Sequence, residues 1–576
     1  MMASPQGDSN TNSQTISRPL RDEEKKMRDG QPSSGGSEVG DDIAEASEDD
    51  NPNPTPRLPF SKARCIALVV TLTGASFLNT LSGQAVVIIL PTIGEDLGIP
   101  EARLQWILSA YALTFGCFLL FWGRVADIYG KRKIFVAGSA WFAITTLVNP
   151  FIPNEIAFDL FRGLQGLGAA ANVPTAIGIL GTTFPPSKAK NYAFSFYSAG
   201  APLGAVAGNL LAGIIAEYVS WKWVFVAIAI AGFAVTGAAI FVIPPPPTPP
   251  ARNPDGSRAS IDWLGAVLVT VGLLALLFAL TEGNFVGWST PWVIVLIVVS
   301  ILLIVLFAVW QHRLEKTGRL APIMKVSNFH NPHFSAAMVI MALFFSSFNG
   351  FLVYATYFYQ DYQDLSPLQT TLRFLPTGIT GVLTAAVVSQ LLARIPTYLL
   401  LTVGNACVAV SSLLFAVPIP PATNYFAWSF PAMVLSVFGA DTTWPCLILF
   451  TSRSLPPADQ AVGGALVNAM GQVGRAIGLA VATAIQTAVM AAERGVPVQE
   501  AGSMVPWEET SLAGIRAAAW WHLALGLAAL TVVLVAFRGT GIVGKPAGSG
   551  QGQQASSQQA SAQQGRESQR EEEGRV

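Results

Sequence analysis

Charge is what this sequence has least of: only 12% of its 576 residues are Asp, Glu, Lys or Arg, about half of the ~25% usual in soluble globular domains. Because 51% are hydrophobic, lipid is the expected solvent. The formal net charge is -1 and the basic residues fall in short clusters, which argues against a phosphate-tracking surface and against nucleic acid as a partner. Cysteine is scarce: Cys65, Cys117, Cys407 and Cys446 stand far apart in apolar runs, giving neither a disulfide framework nor a metal set. His312, His330, His333 and His522 show no metal spacing. There is no G-x-x-x-x-G-K-[ST] phosphate loop, since Gly130-Lys131 lacks both the upstream glycine and the following hydroxyl, and no G-x-S-x-G or H-E-x-x-H motif. An enzyme is not expected, and neither a cofactor nor a metal is implied.

What is present is a series of long apolar runs. Residues 1–60 are rich in Ser, Asp, Glu, Gly and Pro, and 539–576 are rich in Gln, Ser and Gly; both are read as disordered tails too polar to offset chain entropy. A membrane-crossing helix needs about 20 apolar residues. That length finds fourteen candidates, near 66–90, 105–122, 134–152, 156–180, 191–216, 223–243, 262–281, 292–310, 334–358, 372–392, 397–417, 427–450, 461–490 and 516–537.

An even number of crossings puts both termini on one side. Lys and Arg are retained in cytoplasmic connections, and they concentrate in alternate ones. Arg57, Lys62, Arg64, Arg124, Lys131, Arg132, Lys133, Lys188, Lys190, Arg252, Arg258, Arg313, Lys316, Arg319, Lys325, Arg394, Arg453, Arg538 and Lys545 fall on one side, against Arg103, Lys222, Arg373, Arg494 and Arg516 on the other. The reading is an all-α polytopic membrane protein with both termini inside. The proline-rich segment 244–260 ends a first six-helix bundle at 61–243. Residues 261–333 supply two further helices and a basic cytoplasmic loop, and 334–538 form a second six-helix bundle.

Several stretches carry polar chemistry into this apolar background. Between the second and third spans lies GRVADIYGKRK, with Gly123, Arg124, Asp127, Gly130, Lys131 and Arg132; its glycines allow a tight turn and its one acid among bases a charge-assisted network. In the fourth span Asp159, Arg162 and Gln165 recur every third residue and share a helix face. An intramembrane Arg costs at least about 2.5 kcal/mol unless it faces a cavity or partner. In the fifth span Gly200, Gly204 and Gly208 make a smooth ridge, with Pro202 between them. Asp441 lies deep in the twelfth span ahead of Trp444-Pro445, either titrating during transport or bonding to backbone that the proline loosens; Arg475 in the thirteenth is a candidate counter-charge. The ninth span is rich in aromatics, from Phe344 and Phe345 to Tyr357 and Phe358, for cavity or for packing.

GRVADIYGKRK resembles the major facilitator superfamily signature G-x-L-a-D-r-x-G-r-[KR], and FDLFRGLQGLGAAA resembles that superfamily's fourth-helix motif with its arginine, here Arg162. SAGAPLGAVAGNLLAG resembles the antiporter motif G-x-x-x-G-P-x-x-G-G, with Ala205 where Pro and Asn209 where the second Gly would stand. With fourteen spans, the chain is similar to the drug:proton antiporter branch. Asn79 replaces that branch's membrane aspartate, and this variant, with FGADTTWPCLILF and GGALVNAMGQVGRAIGLAVATAI, is similar to the fungal aminotriazole-resistance subgroup, which includes boron and toxin exporters.

The resemblance implies a major facilitator fold of two six-helix bundles plus two inserted helices, alternating access, and proton-coupled efflux of a small organic compound. Transport and coupling candidates are Asn79, Asp159, Arg162, Gln165, Asp441 and Arg475. Gly123 to Arg132 would be the conformational switch, and Gly200, Pro202, Gly204 and Gly208 the antiporter-like packing motif. Expected partners are a small-molecule substrate, protons and the bilayer, for a monomer in the plasma membrane, with a vacuolar or other internal membrane as the alternative. An uptake carrier or borate exporter on the same fold, and more distantly a membrane sensor or enzyme, remain as other readings.

Overall fold

In hydrocarbon only an internal hydrogen-bond ladder satisfies the backbone, so long apolar runs are driven into helices. The computed structural model describes residues 60–99, 101–104, 106–185, 187–245, 260–318 and 320–544, and among the described residues there is no strand. The tails 1–59 and 545–576, and residues 246–259 of the proline-rich connection, lie outside the described residues. The long helices are α1 (Lys62–Leu97), α2 (Trp106–Tyr129), α3 (Lys131–Val148), α4 (Glu155–Thr183), α5 (Lys188–Tyr218), α6 (Trp221–Val242) and α7 (Trp263–Val286), then α8 (Pro291–Thr317), α9 (Pro332–Tyr357), α10 (Pro367–Leu391), α11 (Thr397–Ala416), α12 (Ser429–Ser454), α13 (Gln460–Arg494) and α14 (Glu509–Ala536). Each corresponds to one of the fourteen runs read from the sequence.

Local chemistry sets many of the ends. Ser61 accepts from the Arg64 amide to start α1, and Gly98, at φ 64°, ends it in a left-handed conformation that glycine adopts without strain. Ser366 and Gln369 form a reciprocal capping box at α10, whose first residue is proline, where the missing N–H costs nothing.

Thirteen of these helices are long and apolar enough to cross a membrane. The exception is α4, which carries Asp159, Arg162, Gln165 and Asn172. Its surface from Gly163 to Gly181 is almost wholly covered by other helices, so it does not need lipid-facing apolar side chains. At 29 residues and ~1.5 Å per residue it is still long enough to span.

α1 packs along α5, α4 is held between α2 and α3, and α6 closes the group against α3 and α1. In the second half α9 packs on α13 and α14, α11 on α12 and α14, and α10 on α12. The halves meet along two seams: α5 against α10 and α12, and α13 against α2 and α4. α7 and α8 pair with each other, and α7 covers α2 and α13 beside the second seam. Asp262 ties that pair together, capping Gly265 of α7 at 3.0 Å while accepting from Trp310 and Gln311 of α8 at 3.0 and 2.7 Å.

With no hydrophobic drive between helices in lipid, close approach through small residues does the work. A methyl group on Gly204 would stand 2.3 Å from the Phe77 carbonyl oxygen of α1, and on Gly208 2.6 Å from that of Leu81. The Gly200–Gly204–Gly208 ridge is thus a packing surface within one half.

The described chain continues past residue 539. Val543 is buried, and Thr397 donates to the Gly541 carbonyl from both its amide and its hydroxyl, at 3.1 and 2.7 Å. Residues 540–544 are therefore packed against the helices, although composition alone groups them with the polar tail.

Candidate transport pathway

The residues singled out by the sequence fall into three groups at different depths. The first is at the end that carries the basic connections. GRVADIYGKRK is not a loop: Gly123–Tyr129 are the last turns of α2, Gly130 alone breaks the helix at φ 106°, and Lys131–Lys133 open α3. From there it reaches the opposite half. Arg124 pairs with Asp459 at 3.1 Å. The Asp127 carboxylate accepts from the amides of Ala461 and Val462 at 3.2 and 2.9 Å, the free donors at the start of α13, where helix dipole and unpaired N–H groups favour an anion. Lys131 pairs with Asp127 at 2.8 Å and donates to the Pro457 carbonyl at 3.3 Å. Arg132 donates to the Ile240 carbonyl of α6 within its own half. Gly123 gives α13 room, since a methyl there would stand 2.6 Å from Ala465 Cβ.

A related tie sits on the other seam. Asn191, fully buried at the start of α5, donates to the Gly544 carbonyl at 3.0 Å, while the Gly544 amide donates to Leu392 of α10–α11 at 2.9 Å. The terminal strap is thereby wedged between the halves. Asp459 and Asn191 were not singled out from the sequence, and their spacing carries no signal there, because their partners lie hundreds of residues away.

The second group is a polar network inside the first half. Arg162, fully buried, donates from Nε to the Ile107 carbonyl at 3.0 Å and from Nη1 to Gln165, and lies over the Tyr111 ring at 4.8 Å. Gln165 donates to Ser82 and Thr146 at 2.9 and 2.6 Å, and Tyr111 donates its hydroxyl to the Asn79 side-chain oxygen. The network thus joins α1, α2, α3 and α4 through Asn79, Ser82, Tyr111, Thr146, Arg162 and Gln165. Asp159 shares the face but makes no ion pair with Arg162, and one of its carboxylate oxygens is buried without a hydrogen bond.

The third group lies near the middle. Asp441 is thirteen residues from the end of α12, Arg475 fifteen from the start of α13, Phe345 thirteen from the start of α9 and Pro202 fourteen from the start of α5. At ~1.5 Å per residue all are about 20 Å from the basic end. Asp441 is 5% exposed, and its Oδ2 has no hydrogen-bond partner. It borders the first seam: a methyl on Gly381 of α10 would stand 3.0 Å from Asp441 Oδ2 and 3.1 Å from Pro202 Cγ of α5. Pro445 has no N–H to offer the Asp441 carbonyl one turn back. Arg475 does not pair with Asp441. Its guanidinium lies 5.7 Å over the Phe345 ring, with a buried Nε left unpartnered, and Phe345 meets Trp444 edge-on at 5.0 Å.

Two helix bundles meeting along paired seams, tied at one end and holding unpaired ionic groups at mid-depth, define a multi-pass membrane protein of the transporter class. The chain belongs to the Major Facilitator Superfamily, whose family model matches residues 72–281 and again 261–479. It is 31% identical to the low affinity ammonium transporter of Saccharomyces cerevisiae over 78% of this chain and 83% of that protein. It is 29% identical to the efflux pump terJ of Aspergillus terreus over 83% and 89% of the two chains. Among solved structures, the human organic anion transporter MFSD10 (TETRAN) shares the fold with TM-score 0.56 at 14% identity, over 81% of this chain and 99% of that one. Membership of this family makes the protein a carrier of small molecules across a bilayer, and not an enzyme.

Proposed function

We propose that the chain is a proton-coupled exporter of small organic compounds that works by alternating access of its two halves. The observation that carries this is the unpartnered Asp441 carboxylate at the seam of α5, α10 and α12. An ionisable group held inside a membrane protein is retained at a cost and marks a coupling path. At this seam its charge bears directly on how the halves close. One proton moving down ~100 mV supplies about 2.3 kcal/mol, enough for roughly a fifty-fold substrate gradient.

In this reading Gly123, Arg124, Asp127, Gly130, Lys131 and Arg132 are the switch that closes the basic, cytoplasmic end, and the structure is the form shut on that side. Pro202 and the glycine ridge set the α1–α5 contact that the switch moves as one body. Asn79, Asp159, Arg162 and Gln165 shape the outer part of the first half, with Asn79 leaving Asp441 as the coupling acid. The protein acts as a monomer in the plasma membrane. Its relatives' names, an efflux pump and an ammonium transporter, fit different cargoes, and an uptake carrier or a borate exporter would use the same scaffold.

The test is transport in sealed vesicles with an imposed pH gradient, run in both orientations and screened across drugs, toxins, ammonium and borate. Export is expected to follow the gradient and Asp441→Asn to abolish its pH dependence. Unchanged pH dependence in that variant removes Asp441 as the proton carrier, and net uptake in the same vesicles overturns export.

A further inference from the structure

The two membrane arginines are held differently. Arg162 is held by a carbonyl, a glutamine and a tyrosine ring in its own half, with one terminal nitrogen left without a hydrogen bond. Arg475 has only the Phe345 face, and among the described residues no carboxylate lies within ion-pairing distance of it. Where it points follows from the helix. Ile477, two residues on, is 41% exposed, and two residues turn an α-helix by about 200°. Arg475 therefore lies on the face opposite Ile477. Ala461, Gly464 and Asn468 share its face to within about 40°, and the first two touch the opposite half: Gly464 against Ile177 of α4 and Ala461 against Gly178. Arg475 continues that line to mid-depth, on the side of α13 turned toward the first half.

Around it stand flat apolar surfaces from other helices. Phe345 of α9 carries the guanidinium on one side and the Trp444 ring of α12 on another, with Phe348 meeting Phe345 edge-on at 6.4 Å. Asp441 lies three residues before Trp444, directed instead toward Gly381 and Pro202. The arrangement is a cation with free donors beside aromatic faces, and the mid-depth acid Asp441 turned to another seam. A guanidinium presents planar paired donors that match an oxyanion, and aromatic walls hold an apolar body by stacking.

We infer that Arg475, Phe345 and Trp444 form a binding site for an amphipathic organic anion, its oxyanion on the guanidinium and its aromatic or aliphatic body on the two rings. This rests on the exporter reading and names its substrate class. A primary amide of the same body lacks the charge, and a protonated amine would be repelled.

Equilibrium binding tests it without any gradient. The purified full chain in detergent is titrated with 1-naphthylacetate and with 1-naphthylacetamide, following tryptophan fluorescence, in wild type, Arg475→Gln and Arg475→Lys. The carboxylate is expected to bind at least about tenfold more tightly than the amide, roughly 1.4 kcal/mol. Arg475→Gln should remove that preference while leaving amide binding within about twofold, and Arg475→Lys should keep part of it, since an ammonium retains charge without the fork. Equal binding of amide and carboxylate by wild type, a comparison that needs no variant to fold, overturns the site; so does an undiminished preference in Arg475→Gln. A carboxylate that binds through Arg475 yet crosses no vesicle membrane in either direction leaves the site standing and overturns the exporter.

Discussion

A hydroxyl and an amide oxygen decide how the first half holds its buried arginine. Tyr111 joins the Asn79 side chain to the ring under Arg162, so Tyr111→Phe keeps the stacking and deletes one hydrogen bond. A loss of about 1 kcal/mol is expected, seen as a lower thermal midpoint in detergent with transport preserved. Gly204→Ala is a harsher change, because its new methyl would meet backbone, not a side chain that can swing away; about 1–3 kcal/mol is expected from the same measurement. At this scale the sequence was partly legible. Arg162 and Gln165 announced themselves because ionic and amide groups are rare in apolar runs, and three-residue spacing put them on one face. Tyr111, Ser82 and Thr146 did not, since a hydroxyl among apolar residues looks the same whether it bonds its own helix or another one.

Helices were the easiest objects to read. All fourteen were visible as apolar runs, α4 included, although its polar content keeps it below the apolarity of the other thirteen. Ends were harder: GRVADIYGKRK, polar enough to look like a connection, is helix on both sides of Gly130. What polarity hides there is a helix whose charged groups are satisfied by another helix's start. Asp127→Asn should weaken the anchoring of Ala461 and Val462, and amide hydrogen exchange at those two positions is expected to accelerate relative to mid-α13; unchanged protection would show that the carboxylate does not hold them. At the far end, Arg494 grips Glu508, the residue that precedes α14. The guanidinium's hydrogen bond, helped by Ser511, holds the Glu508 carboxyl down at about 2 against an ordinary value of 4.5. A lowered folded value means that stability is fully present above pH 4.5 and is lost as pH falls toward 2. Thermal midpoints should drop across that window, and Glu508→Gln should show a smaller drop.

The whole molecule is two bundles that pack along two helix seams and are tied at the basic end by a handful of polar contacts. Asp459 serves both Arg124 and Lys325 at the basic end, at 3.1 and 2.7 Å, so Asp459→Asn cuts two ties between distant parts of the chain. Breaking a largely buried pair is costly, and the closed form should lose population by about tenfold or more. Spin labels at Lys133 and Arg394, exposed on opposite halves, would report this as longer distances; an unaltered distribution would mean the pair does not hold the seam. The duplication of the halves was legible from the number of runs and the proline-rich break after the sixth. Their contacts were not, because each seam joins residues such as Arg124 and Asp459 that no local pattern relates. The strap ending at Gly544 bears on how the protein is made. Residues 541–544 are synthesised only after all fourteen helical segments, so until then the nascent carrier lacks the piece that Asn191 and Leu392 clasp. The α5–α10 seam can be sealed only once translation has passed that glycine, which makes closure a late step of biogenesis.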